Sequence, residues 1–139
     1  MPLEPATRRR LLRAAAAVLE KAYAPYSGIR VGAAVLTDQG RIFSGANLEN
    51  ASYGLTLCAE RVAVARAAAT VGGENLRLKA VAVASDRPGP FPPCGACRQV
   101  LAEFGPQTLI LYPGEAGLEE RPLADLLPQS FGLQPPRTP

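Results

Sequence analysis

Two segments with strong helical propensity begin at cysteines, and this arrangement constrains both the fold and the chemistry of the chain. Cys58 opens a helix predicted over residues 58–69, and Cys94 and Cys97 lie at the start of a second helix predicted over residues 95–104. The N–H groups and the dipole at a helix N-terminus favour negative charge, which lowers the pKa of a thiol placed there. The pattern therefore predicts that these three cysteines act as thiolate ligands of a metal ion.

The residue types that are missing narrow the kind of site further. The 139 residues include three cysteines and no histidine, so a histidine-based triad and an imidazole metal ligand are both excluded. Three cysteines cannot all pair within one chain, and disulfides are rare in a reducing compartment. Zinc bound by three thiolates would keep a fourth position open for water, as catalytic zinc sites do.

Glu60 is the candidate for proton transfer at such a site. It follows Cys58 by two residues, so the two side chains leave the helix in different directions and Glu60 is better placed to face a water than to bind the metal. A cysteine ligand, a nearby glutamate that is not a ligand, and a later Pro-Cys-x-x-Cys motif form the signature of zinc deaminases. Here the later motif is Pro93-Cys94-Gly95-Ala96-Cys97.

Simpler interpretations of the same residues stay open at this point. Cys94 and Cys97 could form a redox dithiol at a helix start, although that interpretation uses neither Cys58 nor Glu60. A structural zinc site normally has four protein ligands, which this chain does not offer. Cys58 could also be an inert buried thiol, and Glu60 an ordinary carboxylate in a first helical turn.

The order of the predicted elements indicates a mixed sheet covered by helices. Thr7 is the predicted cap of the first helix, Pro25 ends it, and Asp38-Gln39-Gly40 forms a turn between two strands. Besides the two cysteine helices, the predicted elements are helix 7–24, strands 29–37, 41–45, 79–85, 108–112 and 118–121, and a short helix 123–127.

Composition and charge favour a single globular domain over residues 1–139, with residues 1–6 and 133–139 loose. The chain is 47% hydrophobic and 19% charged, and it has no apolar run long enough to span a bilayer. The arginine-rich start of the first helix is interpreted as a solvated face with no nucleic-acid partner, because no aromatic residues interleave with it. The N-terminal residues do not form a signal peptide, so a cytoplasmic location is expected.

Several motifs between about Leu11 and Phe131 occur together, in one order and spacing. They are Ala22-Tyr23-Ala24-Pro25-Tyr26-Ser27, Val31-Gly32-Ala33-Ala34, Asn47-Leu48-Glu49-Asn50-Ala51, Cys58-Ala59-Glu60-Arg61 and Pro93-Cys94-Gly95-Ala96-Cys97-Arg98-Gln99. Together they resemble the homotetrameric zinc-dependent cytidine deaminases. The resemblance implies a three-layer α-β-α sandwich with a mixed five-stranded sheet, and one Zn²⁺ per subunit bound by Cys58, Cys94 and Cys97.

The resemblance also implies how a nucleoside would be bound. Asn47 and Glu49 correspond to a ribose-binding pair, in which Glu49 accepts from the 3′-hydroxyl. The backbone of Ala59 contacts the base, and Glu60 moves protons. Tyr53 corresponds to a tyrosine that one subunit lends to the site of its neighbour.

Four further positions have implied roles at the edge of the site. Ile29 stands where similar sequences carry phenylalanine, so the apolar wall is expected to lack a ring there. Phe131 corresponds to an aromatic residue that a second subunit offers to the pyrimidine, or is a simple interface anchor. Arg61 and Gln99 correspond to a pair that moderates the negative charge of the thiolates.

The expected activity is hydrolytic deamination of cytidine and 2′-deoxycytidine to uridine and 2′-deoxyuridine, a step of pyrimidine salvage. One alternative is deamination of a related aminopyrimidine nucleoside, which Asn47 and Glu49 argue against. Another is a zinc-stabilised module that binds nucleic acid through the arginine run. The expected assembly is a homotetramer that shares sites between subunits, with a small nucleoside as partner and with neither nucleic acid nor membrane bound.

Overall fold

The computed structural model describes residues 2–133, which form a five-stranded sheet with helices packed on both faces. Three short 3-10 turns lie at Leu19–Lys21, Tyr53–Leu55 and Gly73–Asn75. The helices and strands are, in chain order, α1 (Pro5–Val18), β1 (Val31–Thr37), β2 (Ile42–Ala46), α2 (Ala59–Val71), β3 (Leu78–Ser85), α3 (Gly95–Phe104), β4 (Leu109–Gly114), β5 (Gly117–Pro122) and α4 (Leu123–Leu126).

The strand order is β2-β1-β3-β4-β5, and the sheet is mixed. β3 and β4 are parallel, because α3 crosses over between them, and the other neighbouring strands are antiparallel. The predicted turn before β2 forms with Gly40 at a φ of +83°, a left-handed conformation that suits glycine. Apart from α1, the predicted helices and strands are confirmed, with ends that differ by no more than two residues.

The two faces of the sheet form two separate cores. Along β1, Ala34 and Leu36 pack on one face with Leu11 of α1. Ala33 and Val35 pack on the other face, in the cluster that also contains residues of α2 and α3. Since helices cover both faces, every residue of β1 is buried, and the three-layer α/β architecture is confirmed.

α1 begins earlier than the sequence pattern predicts. Pro5 occupies the first helical position, where its missing N–H does not break a helical hydrogen bond, and Glu4 is the N-cap. The prediction that Thr7 caps this helix is therefore wrong. The predicted loose segment 1–6 is wrong for Pro5 and Ala6, which form the first turn.

α1 also ends earlier than predicted, at Val18, followed by the tight turn Leu19–Lys21. The cause is a tertiary contact of Tyr23. Its backbone N–H donates to the carbonyl oxygen of Asn47 over 3.0 Å, and its carbonyl oxygen accepts from the N–H of Glu49 over 2.9 Å. The chain must leave the helix before Tyr23 to make this pairing, which places Asn47 and Glu49 beside the segment that follows α1.

Within residues 2–133, no helix is both long and apolar enough to cross a membrane. The tail predicted to be loose lies outside the described residues except for Leu133, which is exposed.

Candidate metal and substrate site

The N-termini of α2 and α3 meet at the three cysteines. Cys58 is the N-cap of α2, Cys94 is the N-cap of α3, and Cys97 lies in the first turn of α3. Their three sulfur atoms all lie within 4.8 Å of one another. With Zn–S bonds of about 2.3 Å, a tetrahedral zinc would place its sulfur ligands about 3.8 Å apart, so the cluster suits one shared ion.

A cationic side chain beside the sulfurs supports the fit to zinc. Nη2 of Arg61 donates to Sγ of Cys58 over 3.5 Å and to the carbonyl oxygen of Thr56 over 3.3 Å. Nε of Arg61 is buried without a hydrogen-bond partner among the described residues. A guanidinium held here stabilises thiolates, as do the two helix N-termini. Three cysteine sulfurs, with no further cysteine and no histidine in the sequence, fit Zn²⁺ with one open position.

The thiols differ in their tendency to ionise. The hydrogen bond with Cys97 and the neighbouring Arg61 together lower the pKa of Cys58 to about 5, against the opposing effect of burial. The same hydrogen bond, together with burial, raises the pKa of Cys97. Cys58 is therefore a thiolate at neutral pH, while the proton of Cys97 must leave when a metal binds.

Glu60 is a buried carboxyl group beside this cluster. Its side chain is 3% exposed, and burial raises its pKa to about 7, with a further contribution from the negative charge of Cys58. A carboxyl group that titrates near neutral pH can both accept and release a proton during a reaction.

A cavity of about 300 Å³ opens next to the sulfurs, a volume within the range of small-molecule sites. Two of the predicted metal ligands, Cys58 and Cys94, lie in its wall. Six more of the predicted site residues line the same cavity, and they are Ile29, Asn47, Glu49, Tyr53, Ala59 and Glu60.

Glu49 is a buried carboxylate held by the segment after α1. It accepts hydrogen bonds from the backbone N–H groups of Tyr26 over 2.9 Å and Ser27 over 3.1 Å, and from the hydroxyl of Ser27. The hydroxyl of Ser27 is the main reason why the pKa of Glu49 lies below its ordinary value. Since a carboxylate has about four acceptor positions, one position is available to a hydroxyl of a bound ligand.

Asn47 connects the cavity to the start of β1. Its Oδ1 accepts from the N–H of Val31 over 2.9 Å, and its Nδ2 donates to the carbonyl oxygen of Ile29 over 2.9 Å. A side-chain amide has two N–H groups, so the second is available for a ligand in the cavity. Asn47 thus fixes the backbone beside Ile29 and also lines the pocket.

Phe131 and Gln99 lie away from this cavity. Phe131 is 70% exposed, and its carbonyl oxygen accepts a hydrogen bond of 3.0 Å from Nε2 of Gln99. The side chain of Gln99 therefore contacts the C-terminal segment in this chain, whereas Arg61 contacts a sulfur. The roles predicted for Phe131 and Gln99 stay predictions.

Sequence reasoning missed several residues of the cavity wall, among them Ser27, Thr56, Arg87 and Phe91. Ser27 belongs to one of the motifs that carry the resemblance, but nothing in its spacing indicates its bond to Glu49. The other three lie in segments without regular hydrophobic periodicity, so no local pattern predicts that they reach the site.

The fold and the site define a class of protein, the zinc-dependent hydrolytic enzymes, because three thiols leave an open metal position beside a buried carboxyl group. A family model described as the cytidine and deoxycytidylate deaminase zinc-binding region matches residues 5–112. The chain belongs to this family, and the predicted resemblance to zinc-dependent cytidine deaminases is confirmed.

Relatives and solved structures that carry the name cytidine deaminase agree with this assignment. The chain is 46% identical to a cytidine deaminase of Halalkalibacterium halodurans over 89% of this chain and 93% of that protein. It is 48% identical to a cytidine deaminase of Mycobacterium tuberculosis over 81% of this chain and 80% of that protein. A crystal structure of cytidine deaminase from Burkholderia pseudomallei matches with a TM-score of 0.80 and 44% identity, covering 88% of this chain and 98% of that one.

Proposed function

We propose that this protein hydrolyses cytidine and 2′-deoxycytidine to uridine and 2′-deoxyuridine with release of ammonia, a reaction of pyrimidine salvage. The main observation behind the proposal is that three features meet at one cavity. They are the cysteine cluster, the carboxyl group of Glu60 with its pKa near 7, and Glu49 with a free acceptor position. Relatives that share almost half of their residues with this chain are named cytidine deaminases, which supports the same substrate.

The proposed chemistry divides between the metal and one carboxyl group. When bound by Cys58, Cys94 and Cys97, Zn²⁺ supplies a Lewis acid that makes water nucleophilic at neutral pH. Glu60 accepts a proton from the water that attacks C4 of the base and donates that proton to N3. Glu60 then moves a second proton to the departing amino group, so that one water is consumed and ammonia leaves. Its pKa near 7 suits both transfers.

The remaining wall of the cavity is proposed to orient the nucleoside. The free acceptor position of Glu49 binds the 3′-hydroxyl, and the second N–H of Asn47 also donates to the sugar. The backbone of Ala59 contacts the base, and Ile29 contributes apolar surface. Arg61, which contacts Cys58, offsets the charge of the thiolates.

We also propose that the protein is a cytoplasmic homotetramer whose subunits complete one another's sites. Large apolar side chains that are mostly exposed in the single chain support this, since monomers rarely expose such groups together. Tyr53 is 62% exposed at the edge of the cavity, and Leu55 beside it is 67% exposed. Tyr53 and Phe131 are the side chains proposed to reach a neighbouring site. Light scattering of the purified protein should give four times the mass of one chain. A monomer with full activity would contradict the proposal that subunits complete one another's sites.

The function is tested by following the ultraviolet spectrum of cytidine with the zinc-loaded protein, beside the Glu60→Gln variant. We expect Glu60→Gln to keep its zinc and to lose about 10²- to 10⁴-fold in kcat, the usual contribution of a general acid–base group. Glu103→Gln, an exposed glutamate on α3, is the matched control and should behave as the wild type. Zinc-loaded wild type that releases no uridine would disprove the function, and loss of zinc from Glu60→Gln would show that its role is wrongly assigned.

The two alternative functions are distinguished by simple assays. A panel of aminopyrimidine nucleosides that differ in the sugar tests whether cytidine is the preferred substrate. Binding to RNA or DNA without deamination would favour the nucleic-acid module. Against that module, Arg8 of the arginine run is already paired with Glu120, over 3.1 Å.

A further inference from the structure

Phe91 places an aromatic ring in the wall of the substrate cavity. Among the described residues that line the cavity, Phe91 and Tyr53 are the aromatic ones. Tyr53 is mostly exposed on a 3-10 turn, whereas Phe91 is half-buried and packs against the core cluster that also supports Ile29. Phe91 is therefore the ring in the cavity that the fold of this chain holds in place.

The backbone around Phe91 is fixed from both sides. Its N–H donates to the carbonyl oxygen of Pro113 in β4 over 2.8 Å. Pro90 and Pro92 flank it in the sequence, and each proline ring restricts φ to a narrow range. Cys94 follows Phe91 by three residues, so the ring and a metal ligand belong to one restrained segment.

We propose that Phe91 is a substrate-binding residue, whose ring stacks on the pyrimidine of the nucleoside. This inference rests on the proposed function. A planar base gains more from an aromatic face than from a branched aliphatic side chain, so Ile29 supplies apolar contact without supplying stacking. The restrained segment makes the ring a fixed surface that the base meets on binding.

Phe91→Leu tests the proposal, since leucine keeps an apolar side chain but removes the ring. We expect KM for cytidine to rise about three- to tenfold, as for the loss of one aromatic pair, with kcat changed less than twofold. Such a split indicates an interaction made equally with substrate and transition state. Phe91→Tyr keeps the ring and should retain a KM close to that of the wild type.

Phe104→Leu is the matched control. Phe104 is also half-buried against the same core cluster but does not line the substrate cavity. Both leucine variants should lose similar stability, while only Phe91→Leu should change KM. An unchanged KM in Phe91→Leu, or an equal rise in Phe104→Leu, would overturn the proposal.

Calorimetric binding of the product uridine to the same variants separates this inference from the proposed function. If zinc-loaded wild type fails to deaminate cytidine yet binds uridine more tightly than Phe91→Leu, the reaction is wrong and the stacking role stands. If cytidine is deaminated and both proteins bind uridine equally, the reaction stands and the stacking role is wrong. Phe91→Met, which fills a similar volume with a flexible chain, gives the same comparison should Phe91→Leu fold poorly.

Discussion

Gly45 sets the distance between β2 and α2, the helix that begins next to Cys58. A Cβ atom at Gly45 would lie 2.5 Å from the backbone nitrogen of Ala63 and 3.0 Å from the carbonyl oxygen of Ala59, where ordinary contacts begin at 3.4 Å. Both atoms belong to helix backbone and cannot rotate away. In a Gly45→Ala variant, α2 must therefore move outward by about 1 Å, because a packed core transmits such strain.

The displacement should affect stability and activity together. Overpacking of this kind destabilises by about 1–3 kcal/mol. At roughly 4 °C per kcal/mol for a chain of this size, the melting temperature should fall by about 4–12 °C. Because α2 carries Glu60 and is capped by Cys58, the groups proposed to act in catalysis shift too. A misplacement of about 1 Å can lower a rate by up to roughly 10²-fold. We expect at least a tenfold loss of kcat well below the melting temperature.

Variants of two other glycines separate the effect on stability from the effect on kcat. At Gly32, a Cβ would lie 2.1 Å from the carbonyl oxygen of Ala15 in α1, on the face of the sheet away from α2. Gly32→Ala should lose comparable stability and keep its kcat at low temperature. Gly73→Ala, beyond the end of α2, adds a Cβ with no other atom within 4 Å and should change neither property. Gly45→Ala with wild-type kcat, or with wild-type stability, would refute the reasoning.

Two further predictions concern hydrogen-bonded carboxylates. Ser27→Ala removes the hydroxyl that donates to Glu49, so KM for cytidine should rise about three- to tenfold. The pKa of Glu49 should rise with it, which moves the acidic limb of kcat/KM to higher pH in a rate–pH profile. Asp86 accepts from the N–H of Arg30 and pairs with its guanidinium, which lowers the pKa of Asp86. The stabilisation by the ionised Asp86 carboxylate is complete above the ordinary pKa of about 3.9. It is lost as the pH falls through the lower pKa that Asp86 has in the folded protein. Asp86→Asn should therefore melt earlier than wild type at pH 7, and the difference should shrink as the pH falls below about 3.9.

The parts of the fold that sequence predicts are those that local chemistry determines. α3 is predicted with its observed ends, because Cys94 can cap it and Gly105 follows its last residue. The end of α1 was not predictable, because nothing local distinguishes residues 19–24 from a continuing helix. Pairing of Tyr23 with the distant Asn47 segment decides that boundary, and such pairing leaves no periodic pattern in the sequence.

The same division applies to the candidate site. Cys58, Glu60 and the Cys94–Cys97 pair were predictable because spacing on helix starts determines where their side chains go. Phe91 was not, because it lies in an irregular loop whose course depends on a hydrogen bond to Pro113 in a strand formed later in the chain. Sequence alone suggests a pocket without a ring where Ile29 stands, while the loop brings another ring into the same cavity.

Asn47 both lines the cavity and holds the backbone at the start of β1, so its proposed role in substrate binding is coupled to stability. Its amide binds the backbone of Ile29 and Val31, and without it the buried N–H of Val31 would lack a partner, which costs about 1–3 kcal/mol. The same side chain offers its remaining N–H to the cavity. The part of the cavity proposed to bind the sugar is therefore formed before any ligand arrives, because Asn47 and Glu49 are already held by backbone groups. Preorganisation of this kind reduces the ordering that a substrate must impose, so the residues that build the cavity also raise its affinity.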